Sequence, residues 1–157
     1  MSFAHPKMLH LRVCFFASSW FDSSSLLNTI ALFFASAFSG LSQKCYVSEP
    51  SYCCLHKRLE LGSGVFGAAK DFLRRYPEHT DAALETLTYF DINNIASCLK
   101  VPTDFCLALA DPICLPEFVY SAYAHVEAPK QLHIYPFIPH CTPEDYDYFV
   151  HKEFSKL

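Results

Sequence analysis

The stretch TDFCLALADPICLPEFVYSAYAHVEAPKQLHIYPFIPH (103–140) decides the fold of this chain. Residues 103–108 form an apolar run with β-branched and aromatic members, which predicts a buried strand. Pro116 suits the first turn of a helix that continues to His125. Residues 131–135 alternate apolar and polar, which predicts a second strand. Because a strand, a helix and a strand follow one another, a parallel sheet covered by helices is expected.

The flanking sequence predicts further elements of the same layered architecture. Residues 44–47 predict a short strand, and helical spacing predicts helices over 65–76 and 81–87. Thr80 is the expected N-cap of the second of these helices, and Asp91 the expected cap of a turn that reaches residue 99.

A final helix is predicted to begin after Thr142, with Thr142 as its cap and Pro143 at its first position. Its apolar side chains recur at helical spacing and predict one buried face. That face consists of Tyr146, Phe149, Val150, Phe154 and Leu157.

Composition excludes several classes of function. The chain has 157 residues, of which 52% are hydrophobic, so it can build a core. Its net charge is −4, and its Lys and Arg residues are scattered. Neither a nucleic-acid partner nor an anionic membrane surface is therefore expected.

Residues 1–40 form an atypical N-terminal segment that contains no charged residues between Asp22 and residue 40. Its apolar run, 26–38, is shorter than the roughly 20 residues that a membrane-spanning helix needs. A buried helix of the α/β core and the apolar part of a signal peptide are both open interpretations. Residues 41–157 have ordinary globular composition.

The eight cysteines favour a reducing compartment. Several lie within apolar, strand-like runs, and no C-x-x-C pair occurs. We therefore expect reduced, mostly buried thiols and a cytoplasmic protein, with secretion as the alternative, and we expect no metal site.

A glycine pattern, GSGVFG (62–67), matches the G-x-G-x-x-G sequence of dinucleotide-binding loops. Such a loop must follow a strand directly, whereas residues 56–61 are amphipathic and helix-like. The pattern therefore predicts the start of a helix and no nucleotide site.

Two residues are candidates for acid and base chemistry. Asp111 comes just after the strand over 103–108, and His140 follows the strand over 131–135. The carboxyl ends of parallel strands meet at one edge of a sheet, where open α/β sheets hold their active sites. A carboxylate that orients a histidine base is one arrangement that this placement allows.

Four sequence blocks resemble those of the acetyl xylan esterase and cephalosporin C deacetylase family, which consists of α/β hydrolases. They are ALETLTYFD (83–91), LADPICLP (109–116), VYSAYAH (119–125) and YPFIPH (135–140). The resemblance implies a partial doubly wound α/β-hydrolase sandwich made of its C-terminal strands and helices. It also implies that Asp111 and His140 are the catalytic acid and base, and that no metal or organic cofactor is used.

The sequence departs from the family at the nucleophile. These enzymes place a serine on a tight G-x-S-x-G turn, but no such pattern occurs here and no glycine precedes Gly40. Ser25 is a weak candidate by position, and a cap for the following helix is the simpler interpretation. A thiol nucleophile at Cys141 is disfavoured because adjacent side chains on an extended loop point apart. Pro139 also removes a backbone donor beside the base.

The resemblance implies an esterase that removes acetyl groups from acetylated xylo-oligosaccharides or similar small acetyl esters. Because the nucleophile turn is missing, we expect a truncated chain that is inactive alone. The alternative is a non-catalytic interaction module derived from an α/β hydrolase. A homo-oligomer is an open possibility for either.

Overall fold

The computed structural model describes residues 43–62 and 65–156. In these ranges the chain forms a three-stranded sheet and six α-helices. The expectations for residues 1–40, for Ser25 and for Leu157 lie outside the described ranges. The elements are β1 (Cys45–Ser48), α1 (Leu55–Leu61), α2 (Val65–Arg75), α3 (Thr80–Thr88), α4 (Ile92–Ile95), β2 (Thr103–Ala108), α5 (Pro116–His125), β3 (Lys130–Tyr135) and α6 (Glu144–Phe154), with 3₁₀ turns at Pro77–His79 and Ala96–Cys98.

The sheet is parallel and has the order β1-β2-β3. All six residues of the central strand β2 are buried, as expected for a strand with neighbours on both sides and helices on both faces. The predicted strand and helix over 103–108 and 116–125 are confirmed at the same residues. The predicted parallel sheet is therefore confirmed in the described part of the chain.

Alternate side chains of β2 enter two separate cores. Phe105 and Leu107 pack in the larger cluster together with Val119 and Ala122 of α5. Cys106 points to the other face, where Tyr146 of α6 and its neighbours cover the sheet. This alternation follows from the period of two in an extended strand. Helices thus cover both faces, which is the layered α/β arrangement predicted from the sequence.

Two predicted helix caps were wrong. His79 caps α3 in place of Thr80, and Pro143 occupies the cap position of α6 without a side-chain hydrogen bond. The Thr142 hydroxyl instead pairs with the Ser48 hydroxyl at 3.0 Å and joins the loop after β3 to the last residue of β1. The Thr142 hydroxyl, which the local sequence predicts to cap α6, is therefore used in a contact with a distant part of the chain.

Asp91 confirms the remaining cap prediction and extends it. Its carboxylate accepts the Asn93 N–H at 3.0 Å and so caps α4. It also accepts the N–H groups of Cys54 and Leu55 at 3.0 and 2.7 Å, at the first turn of α1. One buried carboxylate thereby satisfies unpaired donors at two helix starts.

A second buried carboxylate, Asp104, lies beside the point where α6 bonds the sheet. Asp104 of β2 pairs with Lys44 Nζ at 2.8 Å and with His133 Nε2 at 3.0 Å. The Tyr146 hydroxyl donates to the main-chain oxygen of Asp104 at 2.8 Å and to that of Val47 at 3.3 Å. Buried polar groups are tolerated when they are bonded in this way.

The glycine pattern at 62–67 lies after a helix, as predicted. α1 ends at Leu61, and Gly62 terminates it with φ 69° in the left-handed region that favours glycine. Among the described residues, no helix is both long and apolar enough to cross a membrane.

Candidate active site

Asp111 and His140 are held at the same edge of the sheet by loops that are bonded to each other. The Leu109 N–H donates to Tyr135 O at 3.0 Å, and the Ala110 N–H donates to Ile138 O at 3.2 Å. These bonds extend the pairing of β2 with β3 beyond the strand ends. The loop carrying Asp111 is thereby aligned with the loop carrying His140.

Asp111 is a fully engaged carboxylate with 3% of its surface exposed. Oδ1 accepts the N–H groups of Ile113 and Cys114 at 2.7 and 2.8 Å, which closes a turn around Pro112. Oδ2 lies 2.8 Å from Nδ1 of His140. The turn therefore fixes one oxygen and leaves the other to orient the imidazole.

The bond to Asp111 assigns different roles to the two ring nitrogens of His140. Nδ1 donates to the carboxylate, while Nε2 is buried and has no hydrogen-bond partner in the described part of the chain. Hydrogen bonding to Asp111, and next to Cys114, raises the pKa of His140 to about 10, although burial acts in the opposite direction. At that pKa the ring is mainly an imidazolium at neutral pH, and it accepts a proton at Nε2 only in its neutral form.

Two groups of the site were missed by the sequence analysis. Glu49 follows β1, and its Oε2 lies 4.0 Å from Nδ1 of His140. Cys114 donates its thiol proton to the main-chain oxygen of Glu49 at 3.2 Å. A carboxylate directly after a predicted parallel strand was the available signal for Glu49, as it was for Asp111.

Asp111, Cys114 and His140 have potential metal-ligand atoms within 4.8 Å of one another. Each of these side chains already bonds a protein group, since the thiol donates to a main-chain oxygen and the imidazole donates to the carboxylate. We therefore assign the three to a hydrogen-bonded network.

The thiols are poor nucleophiles in this setting. Burial raises the pKa of both Cys114 and Cys141, so each thiol stays protonated at neutral pH. The main-chain N–H of Cys141 donates to the Pro139 oxygen at 2.7 Å. A thiolate nucleophile at Cys141 therefore remains disfavoured, because burial of its sulfur keeps the thiol protonated.

An apolar groove of about 750 Å³ lies among α1, α2 and α3. Phe72 and Phe90 at its walls are about half exposed. Its lining is apolar except for His79 and Thr86, and comprises Tyr52, Leu55, Leu59, Phe66, Ala69, Phe72, Leu73, His79, Ala82, Ala83, Thr86, Leu87 and Phe90.

The three parallel strands with helices on both faces, and the acid and histidine after neighbouring strands, fit the α/β-hydrolase fold. Two solved structures share this fold. Acetyl xylan esterase 1 from Thermoanaerobacterium sp. JW/SL YS485 aligns with a TM-score of 0.69 at 22% identity, over 80% of this chain and 41% of its own. MGS-MChE2, an α/β hydrolase from a lagoon-sediment metagenome, aligns with a TM-score of 0.53 at 16% identity, over 83% and 58%.

The chain belongs to the acetyl xylan esterase family (AXE1), whose model matches residues 28–156. The acetyl xylan esterase from Paenibacillus sp. R4 is similar to it, with 27% identity and a TM-score of 0.73. That alignment covers 85% of this chain and 42% of the Paenibacillus enzyme. The chain thus spans less than half the length of the two acetyl xylan esterases, and the family predicted from four sequence blocks is confirmed.

Proposed function

We propose that this chain carries the acid and base of an esterase site for small acetyl esters, such as acetylated xylo-oligosaccharides. Asp111 is the orienting acid and His140 the general base. The contact of 2.8 Å between Asp111 Oδ2 and His140 Nδ1 is the observation that carries the proposal. It leaves Nε2 as the atom that would accept the proton of an attacking hydroxyl.

We further propose that the chain does not turn over esters by itself. Ester hydrolysis needs a nucleophile at Nε2 and donors for the oxyanion. No residue of the described ranges bonds Nε2, and the sequence contains no G-x-S-x-G pattern. The proposal therefore assigns a base and its acid to the described residues, and assigns no nucleophile to them.

The test is hydrolysis of p-nitrophenyl acetate and acetylated xylose, together with labelling by a fluorophosphonate probe. We expect no saturable turnover and no labelling. His140→Ala is compared with His125→Ala, which removes an exposed helix histidine, so that hydrolysis by surface imidazoles is subtracted. Stoichiometric labelling of Ser23, Ser24 or Ser25 that His140→Ala abolishes would contradict the inactivity and identify the nucleophile.

The apolar groove favours a second candidate function, a non-catalytic interaction module. A groove of this size with two half-exposed phenylalanines is large for the surface of a small domain. The module predicts strong fluorescence of 8-anilinonaphthalene sulfonate that Phe72→Glu reduces and His140→Ala leaves unchanged. Weak dye binding, equal in the wild type and in Phe72→Glu, would dismiss this candidate.

We propose a cytoplasmic location because the cysteines are thiols and several of them are buried. No disulfide joins the seven cysteines of the described ranges to one another, and four of them are buried in the core: Cys45, Cys53, Cys106 and Cys114. Reduced, buried thiols are typical of proteins in reducing compartments.

A further inference from the structure

Glu49 is a buried acidic residue at the edge of the sheet that carries Asp111 and His140. It comes directly after β1, with 2% of its surface exposed. Its Oε2 lies 4.0 Å from Nδ1 of His140, beyond hydrogen-bond reach. The three strands thus each deliver one ionisable side chain to the same point: Glu49 after β1, Asp111 after β2 and His140 after β3.

The backbone of Glu49 is held in an uncommon conformation. Its φ is 52°, in the left-handed region that residues other than glycine, asparagine and aspartate seldom adopt. The Cys114 thiol donates to its main-chain oxygen at 3.2 Å. The main chain of Cys141 acts on its carboxylate and opposes the rise of its pKa. The loop after β2 therefore holds the backbone of Glu49. Such conformations cluster at functional sites, where surrounding contacts compensate their cost.

The charges around Glu49 come from each element that packs against it. Asp111 and His140 face it from the loops after β2 and β3, and the thiols of Cys106 and Cys141 lie nearby. The charge of Arg58 of α1 acts on Cys114. His140 is the cation that acts on the Glu49 carboxylate, whose Oε1 has no hydrogen-bond partner among the described residues.

We propose that Glu49 is a positioning residue for His140, which acts by its charge together with the hydrogen bond from Asp111. Asp111 sets the tautomer and the direction of the ring, since it bonds Nδ1. When its carboxyl is ionised, Glu49 adds a second negative charge on the same side of the ring, which stabilises the imidazolium that forms when Nε2 takes a proton. The inference rests on the proposed function, because it presumes that His140 is the base.

The test measures the titration of His140 in the full chain by NMR of the ¹⁵N-labelled imidazole rings, with His140→Gln to assign its signals. Glu49→Gln keeps the shape and removes the charge. An opposite charge within 4–6 Å shifts a pKa by about one unit or more, so we expect Glu49→Gln to lower the pKa of His140 by about one unit. The Nδ1-protonated tautomer should persist, because Asp111 is untouched.

Two further variants separate the possible failures. Glu49→Asp keeps the charge one methylene further back, so we expect a pKa of His140 between those of the wild type and Glu49→Gln. It also serves if Glu49→Gln does not fold. Asp111→Asn should lower the pKa and also abolish the tautomer preference.

If Glu49→Gln and Glu49→Asp titrate like the wild type while Asp111→Asn shifts, the role of Glu49 is overturned and the proposed function stands. If Asp111→Asn also leaves His140 unchanged, the acid–base pair itself is refuted.

Discussion

Replacing Glu49 by glutamine should stabilise the protein at neutral pH and leave its stability unchanged in acid. Burial raises the pKa of Glu49 from 4.5 to about 7, with His140 opposing this shift and Asp111 adding to it. The folded state therefore resists ionisation of this carboxyl, whereas the unfolded chain ionises normally. Glutamine has nearly the same shape and carries no proton to lose, so it removes this dependence.

The sign and size follow from linkage. A folded-state pKa above the unfolded value stabilises the protein fully below pH 4.5, and this contribution is lost as pH rises through 7. A difference of about 2.5 units corresponds to about 3 kcal/mol, at 1.36 kcal/mol per unit. The wild type should therefore equal Glu49→Gln near pH 4.5 and be less stable by up to about 3 kcal/mol at pH 8.

Urea unfolding of both proteins with reductant, at half-unit steps from pH 4.5 to 8, measures this difference. Glu85→Gln, at an exposed position of α3, is the matched control and should show no such step. A Glu49→Gln difference that is the same at both ends of the range would refute the argument that burial controls this carboxyl.

Three other predictions concern contacts in the core and the cysteines. Tyr146→Phe removes a hydroxyl that donates to the main-chain oxygens of Val47 and Asp104, and should lower the free energy of unfolding by about 1–2 kcal/mol; a change near zero in urea titrations would mean that water replaces this bond. Asp91→Ala leaves three backbone N–H groups unpaired and should cost about 3 kcal/mol by the same assay, unlike an exposed control such as Asp71→Ala. Titration of protein denatured without reductant should count nearly eight thiols, whereas a count near zero would contradict the cytoplasmic proposal.

Much of the sheet and its edge could be predicted because the signals there are local and strong. The run over 103–108 is long and apolar, and Pro116 marks a helix start, so both boundaries agree with the structure. The contact between Asp111 and His140 follows from a rule of topology, since parallel strands end at a common edge. Their catalytic roles remain a prediction.

The parts that could not be predicted depend on contacts distant in sequence. β1 has only four residues, and its predicted end at residue 47 left Glu49 in what looked like irregular chain. Thr142 is a residue type that commonly caps helices, but its hydroxyl bonds that of Ser48, which lies 94 positions away in the chain. Cys114 stands three positions after Asp111 in the block LADPICLP (109–116), but its bond to the Glu49 carbonyl depends on a contact 65 positions away in the chain.

The sheet contains two histidine–aspartate pairs, and both are separated by 29 positions in the chain. β2 and β3 stay in one register, in which Thr103 lies beside Lys130, so the Asp104–His133 and Asp111–His140 pairs are the same spacing repeated seven positions apart. The number 29 therefore measures the length of the α5 crossover and carries no chemical information. A relative with a longer crossover would keep both pairs while changing the separation of both equally. A search for related chains should accordingly require an acid and a histidine beyond the strand ends and leave the interval between them free.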